Sequence, residues 1–325
     1  MKPFASITLA ATLAVAALVP LQVRAQAYPN KPIRLVVPYA PGGATDIISR
    51  AVAIELTKTL GQAVNVDNRP GAGANLGSEM VARSAPDGYT LLTSASSLHG
   101  ITPFLYKKLN YDPNKDLSPV IVLAGFANVL VLNPGVAANS VKDVIALAKA
   151  QPGKLTCASS GSGSTIHMSC EMFKHILGLD IIHVPYKGSG PAVTDLIGGQ
   201  VNMMFDNIPS SISHIRSGKL RALATTGAKR SPMLPELPTI AESGVPGYES
   251  TAWFGIAAPV GTPKEIIARL NAEGQKALRS PEFVKRMTDL GYEIVGGTPE
   301  QMASMIQDEY KRWGPIVKAS GATVD

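Results

Sequence analysis

The chain is predicted to be an α/β protein of two lobes, with the backbone crossing between them twice. Three observations point there. Short β-rich runs alternate with helical stretches from Tyr28 onward, as in a parallel α/β sheet. The alternation breaks once, where "VIVLAGF" and "NVLVLNP" follow each other without a helix, and then restarts as a second series. Residues 28–325, 298 in all, also reach the size at which a single core stops growing, about 250–300 residues.

In order, residues 33–37 read as a strand and 46–60 as an amphipathic helix that Gly61 stops. "VNVD" is a strand, "ANLGSEMVARS" a short helix and "YTLLTSAS" a strand ending in small polar residues. After the paired apolar runs come helix 141–150, strand 155–158, helix 164–177 and strand 181–184. Helix 191–198, strand 201–205, helix 209–217 and strand 220–225 complete the second series. "KRSPMLPELPTIAESGVPGYES" is an irregular Pro/Gly-rich connection. "AWFGIAAP" is a strand, and helices 263–278, 281–290 and 299–318 close the chain. Crossings near residues 125–128 and 248–253 divide it into a first lobe (28–126), a second lobe (127–249) and a return to the first (250–325). Two crossings make a hinge, and the cleft between such lobes is a natural ligand site.

The ends and the composition narrow the function. Lys2, the apolar run "ITLAATLAVAALVPL" and an Ala25-Gln26-Ala27 site give residues 1–27 the layout of a secretory signal peptide, cleaved after Ala27 or, second, after Ala25. The run is short of the roughly 20 residues a membrane span needs. The expected mature chain is soluble and exported, with 298 residues of which 28 are basic and 24 acidic. Its basic residues are scattered, with no aromatic stripe between them, so nucleic acid is not an expected partner. Cys157 and Cys170 lack metal-ligand spacing. Export permits a disulfide between them, and burial as two small apolar side chains serves equally well; both readings stand.

Two strand-to-helix loops carry the candidate chemistry. In "IRLVVPYAPGGATDIISR" a strand stops, glycines follow, and Thr45-Asp46 open a helix. "KLTCASSGSGSTIHMSCEMF" repeats the arrangement. Ligands of open α/β sheets bind at the carboxyl ends of strands, and a helix start offers unpaired N–H groups and partial positive charge. Glycine lets that backbone come close. The residues of the two jaws are Gly42, Gly43, Ala44, Thr45 and Asp46, and Gly161, Ser162, Gly163, Ser164 and Thr165. Each loop alone is also explained by ordinary N-capping. One per lobe points to anion capture, of a carboxylate as readily as a phosphate.

Three more strand ends are site-like: "TSASSLHG" with its hydroxyls, "HVPYKGSGP", and "MMFDN" with its acid. Enzymatic readings fare worse. There is no G-x-x-x-x-G-K-[ST], and "GAGANLG" does not fit G-x-G-x-x-G. No G-x-S-x-G elbow exists, and although His167 follows Ser164 at helical spacing, no acid is placed to orient it. No cofactor or metal is called for. An exported Ser164–His167 hydrolase remains the competing class.

Long collinear strings then identify a resemblance: "YPNKPIRLVVPYAPGGATD", "VDNRPGAGANLGSEMVARSAPDGYTLL", "GSGSTIH", "VPYKGSGPAVTDLIGGQVNMMFDN" and "LPELPTIAESGVPGYES". The sequence resembles the periplasmic receptors of tripartite tricarboxylate transporters, the Bug family, over essentially all of residues 28–325. The resemblance implies a type II periplasmic-binding-protein fold without catalysis. It implies a ligand that is a di- or tricarboxylate, an acidic amino acid or an aromatic acid, delivered to integral-membrane transporter subunits or presented to a sensor domain. It also implies a carboxylate grip by the two jaws together with His167, and pocket walls at Ser94, Ser96, Tyr186, Lys187, Gly188 and Asp206. Cys157 and Cys170 depart from the family pattern in these segments, which leaves the local wall shape to be seen.

Overall fold

A computed structural model describes residues 28–324. The signal-peptide expectation lies on residues 1–27, outside the described residues. Among the described residues no helix is long and apolar enough to cross a membrane.

The first series builds β1 (Ile33–Val37), α1 (Ala44–Leu60), β2 (Val64–Asn68), a 3-10 turn (Ala72–Ala74), α2 (Asn75–Ala82) and β3 (Thr90–Ala95). Strands β1, β2 and β3 run parallel. Two short helices follow, α3 (Ser96–Gly100) and α4 (Thr102–Leu105), which the sequence reading did not separate from the loop. Next comes β4 (Leu117–Leu132), a single strand of 16 residues where two separate runs were expected. The second series is α5 (Val141–Ala150), β5 (Thr156–Ser159), α6 (Thr165–Leu177), β6 (Ile182–Pro185), α7 (Ser189–Ile197), β7 (Met203–Asn207), α8 (Ile208–Arg216) and β8 (Arg221–Thr225). The chain returns as β9 (Thr251–Pro259), α9 (Lys264–Leu278), α10 (Pro281–Asp289), β10 (Glu293–Gly296) and α11 (Pro299–Ser320). The sequence reading assigned no element to the stretch that forms β10, which pairs with β4.

The strand order β2-β1-β3-β9-β4-β7-β5-β6 makes β4 the member common to both halves. Leu117 to Ala127 pairs antiparallel with β9, and Asn128 to Leu132 pairs with β7 and β8. One lobe packs α1 on β1–β3 and α9 against α1 and β4, burying Leu35, Ile48, Leu56, Leu91 and Phe254. The other buries Leu130, Leu155, Phe173, Phe205 and Tyr248 on one face and Val129, Ile166, Leu196 and Met204 on the other. α11 packs on α3 and also on α6, so the last helix touches elements of both series.

The crossings are laid side by side. The Thr226 hydroxyl accepts from the Asn128 N–H at 2.8 Å and donates to the Ser250 carbonyl at 2.5 Å. The Ser250 N–H donates to the Thr226 carbonyl at 2.8 Å. All three residues are fully buried, so these backbone groups need such partners. Cys157 and Cys170 sit in the second-lobe core as buried free thiols.

Because β4 serves both halves of the sheet, truncating it should weaken the whole molecule. Leu130 is completely buried, and Leu130→Ala is expected to cost about 2–5 kcal/mol as a single lowered midpoint in urea denaturation. A change confined to one of two separate transitions would show that the halves fold independently.

Candidate functional site

The two halves meet face to face around a small cavity. Tyr39, Thr45, Ala95, Ser96, Ser97, Ala252 and Phe254 line it from one half, and Ser160, Ser164, Thr165 and Asn207 from the other. Its interior is about 20 Å³, room for about one water molecule. No charged side chain is among the lining residues.

What the walls offer is backbone at helix starts. α1 begins at Gly43 and α8 at Asn207, and neither has a side-chain cap on its first N–H groups. α6 begins at Ser164, whose hydroxyl accepts from the His167 N–H at 3.1 Å. Thr45, Thr165 and Asn207 bring the first turns of these helices to one cavity. The short α3 adds the Ser96 and Ser97 hydroxyls. Burial pushes the Tyr39 hydroxyl up to about 12, so it stays a neutral donor at the wall. The site therefore presents donors and the positive ends of helix dipoles to whatever fills it.

Of the residues expected at the site, Thr45, Ser96, Ser164 and Thr165 line the cavity. Gly43 and Ala44 open α1 behind it, and the Ala44 carbonyl accepts from the Tyr292 hydroxyl. Gly42 instead borders an outer groove with Gly190 and Ser210. Asp46 turns back. It accepts from the Gly42 N–H at 3.1 Å and from Asn68 at 2.9 Å, and pairs with Arg50 at 2.9 Å. Burial pushes its pKa up, but the bonds from Arg50, Asn68 and Gly42 outweigh that and hold it below the usual carboxylate range.

Ser94 bonds His99 at 2.8 Å beneath the cavity wall. Gly161, Ser162 and Gly163 form the turn before α6, with the Ser162 carbonyl accepting from the Tyr106 hydroxyl of the other half at 2.9 Å. The Tyr186 hydroxyl donates to Asp195 at 2.7 Å, and Lys187 is exposed. The Lys187 carbonyl, however, accepts from the Ala40 N–H across the cleft at 2.9 Å. Gly188 is buried against Ala40; a Cβ there would lie 2.8 Å from the Ala40 nitrogen. Asp206 is sealed under the hydroxyls of Ser189, Ser210 and Ser211, the last two at 2.6 and 2.5 Å. Burial raises its pKa against the pull of those hydroxyls.

His167 does not line the cavity. Its Nδ1 accepts from the Gly163 N–H at 3.2 Å, and its ring lies against His183, tilted by 30° with centroids 4.0 Å apart. The Ser164 hydroxyl donates to the Gly161 carbonyl at 2.8 Å. The contact between Ser164 and His167 runs through the backbone N–H of His167 rather than its ring, which is not the geometry of a nucleophile and its base. Among the described residues no group of His, Cys, Asp and Glu is placed to hold a metal ion.

Tyr39, Ala95, Ser97, Ser160, Asn207, Ala252 and Phe254 were missed. Asn207 stands one residue beyond the acid singled out at the end of β7, and Ala252 and Phe254 share one face of β9 by strand periodicity. "GAGANLG" has a place too. Gly73, at φ +60°, presses on the second lobe so closely that a Cβ would lie 1.9 Å from the Ser162 carbonyl oxygen.

Residues 48–322 match the family described as the tripartite tricarboxylate transporter family receptor. The chain is 42% identical over 301 residues to protein BugT of Bordetella pertussis, covering 92% of each chain. A solved R. palustris protein with adipate superposes with a TM-score of 0.88 at 40% identity, covering 91% of this chain and all of that one. MatC from Rhodopseudomonas palustris with bound malate gives 0.87 at 35% identity, covering 89% and 100%.

Two buried imidazoles, His99 and His167, and a half-buried one, His183, make the fold sensitive to acid. Burial lowers His167 to about 3, helped by His183 and Lys174, and His183 to about 4, helped by Lys174. His99 falls to about 4 by burial, against its bond to Asn114. Each folded pKa lies below the unfolded value near 6.5, so the unfolded chain binds more protons and stability falls as pH drops from 6.5 towards 4. At pH 5 the loss is about 2 kcal/mol per histidine. Urea denaturation at pH 7.5, 6 and 5 should show it; equal midpoints at all three would contradict it.

Proposed function

The chain belongs to the tripartite tricarboxylate transporter receptor family, and from that premise we propose that it captures a small carboxylate between its lobes for delivery to a membrane transporter. One observation carries the reading: helix starts from both lobes converge on a cavity that has hydroxyl and amide donors but no charged side chain. An anion there is neutralised by N–H groups and helix dipoles, without a lysine or arginine. That related proteins are solved with adipate and malate supports a small diacid or hydroxy acid.

We take residues 28–126 and 250–325 as one lobe and 127–249 as the other. The ligand is assigned to Thr45, Ser96, Ser164 and Thr165 and to the backbone of Gly43 and Ala44. Gly42, Asp46, Ser94, Gly161, Ser162, Gly163, His167, Tyr186, Lys187, Gly188 and Asp206 shape the jaws and the lobe contact around it. The cavity is smaller than such an acid, so the ligand enters with the lobes apart. It then favours the closed state because only that state places both sets of helix starts around it.

The reading includes export through the N-terminal signal, a monomeric periplasmic receptor and recognition of the closed surface by integral-membrane subunits. It assigns binding and no chemistry on the cargo. The hydrolase reading loses its support with the ring of His167 turned to Gly163.

Refolded mature protein should be stabilised by small di- and hydroxycarboxylates in a thermal-shift screen, by about 2.7 kcal/mol at 100 times Kd. Gly43→Asp should abolish that response. Asp is a favoured N-cap, so α1 keeps its start, but its carboxylate takes the anion's place and its Cβ lies 3.1 Å from the Ser189 Cβ. Stabilisation by neutral or cationic solutes alone would contradict the proposal.

A further inference from the structure

We propose that the contacting pair His167–His183 positions the second lobe's ligand loop, acting through the loop backbone rather than touching the ligand. The inference rests on the carboxylate-receptor reading and goes beyond it.

The loop between β5 and α6 holds three N–H groups that are not aimed at the cavity. The Gly163 N–H donates to His167 Nδ1 at 3.2 Å. The Gly161 N–H donates to the Ser159 hydroxyl at 3.2 Å, and that hydroxyl shares a 2.7 Å bond with His183 Nε2. The Ser164 N–H closes the turn on the Gly161 carbonyl at 3.1 Å. With these tied back, the loop turns Ser160, Ser164 and Thr165 towards the cavity. Each histidine thus anchors one glycine, and their rings lie 4.0 Å apart, so neither anchor moves without the other.

The arrangement requires neutral rings. A donor at Gly163 means that His167 Nδ1 carries no proton, which places the proton on Nε2, 3.8 Å from Glu171 Oε1. Lys174 pairs with the same Glu171 oxygen at 2.8 Å, so the charges facing the pair are Glu171 and Lys174 on α6, and each ring faces the other. A protonated His167 would set N–H against the Gly163 N–H and imidazolium against His183. Burial of both rings keeps that from happening near neutral pH.

The test compares His167→Asn with His167→Leu. Both are of similar size, but only Asn places an acceptor where Nδ1 stood. Calorimetry with malate and succinate should give His167→Leu an affinity about tenfold or more below wild type, the effect of one lost buried acceptor. His167→Asn should stay within about threefold. His183→Gln, which mimics Nε2, should likewise bind better than His183→Leu. Equal affinities for the Asn and Leu variants would overturn the inference. Amide exchange on ligand-free wild type is a check independent of folding of the variants: Gly161 and Gly163 should be protected, and rapid exchange at both would also overturn it. If wild type binds none of the carboxylates tried in the thermal-shift screen, it is the receptor reading that fails.

Discussion

The first N–H groups of an α-helix have no partner within the helix, and in this molecule the starts of three helices of nine residues or more are buried at one seam between lobes. That constraint organises the rest. A buried donor left unpaired costs about 1–3 kcal/mol, so the seam calls for an acceptor. The walls supply hydroxyls and an amide rather than a carboxylate, while the acids nearby are turned elsewhere: Asp46 to Arg50 and Asn68, Asp206 to three serines. An anion is the complement such a seam lacks.

The two crossings and the cavity floor belong to one hydrogen-bond network. Asn128, at the first crossing on β4, accepts from the Asn207 amide at 2.6 Å, and Asn207 lines the cavity. Asn128 also donates to Ser169 on α6 at 3.0 Å, and Ser169 donates to Ser250 at the second crossing at 2.8 Å. The lobes close on bare backbone. Gly190 faces the Pro41 carbonyl so tightly that a Cβ would sit 2.4 Å from its oxygen, and Gly73 does the same to Ser162. Glycine at these points lets the helix starts approach, which is how loops far from the ligand set the geometry around it.

Much of this was legible in the sequence because it rests on local pattern. Alternating apolar runs and helical periodicity located most strands and helices, and a β-run ending in glycine before a polar helix start marked both jaws. Tertiary pairing hid the rest. Gly125 and Asn128 looked like a break between two strands, yet Asn128 is held in line by Thr226 and Asn207. β10 and α3 are too short to show a period. Asp206 was expected at the site as an acid at a strand end and, like His167, through the family resemblance. Asp206 is turned by Ser210 and Ser211 in the next helix together with Ser189 from α7, and His167 by Gly163 and by His183 on a neighbouring strand. Tyr39 and Phe254 carry no chemical signal of their own; only the meeting of two lobes makes them walls.

The most direct measurement is a crystal structure with the dicarboxylate that stabilises the protein most. The account predicts closed lobes with carboxylate oxygens about 3 Å from backbone N–H groups at the starts of α1, α6 or α8. A carboxylate held instead by lysine or arginine side chains, or lying outside the seam between lobes, would contradict it.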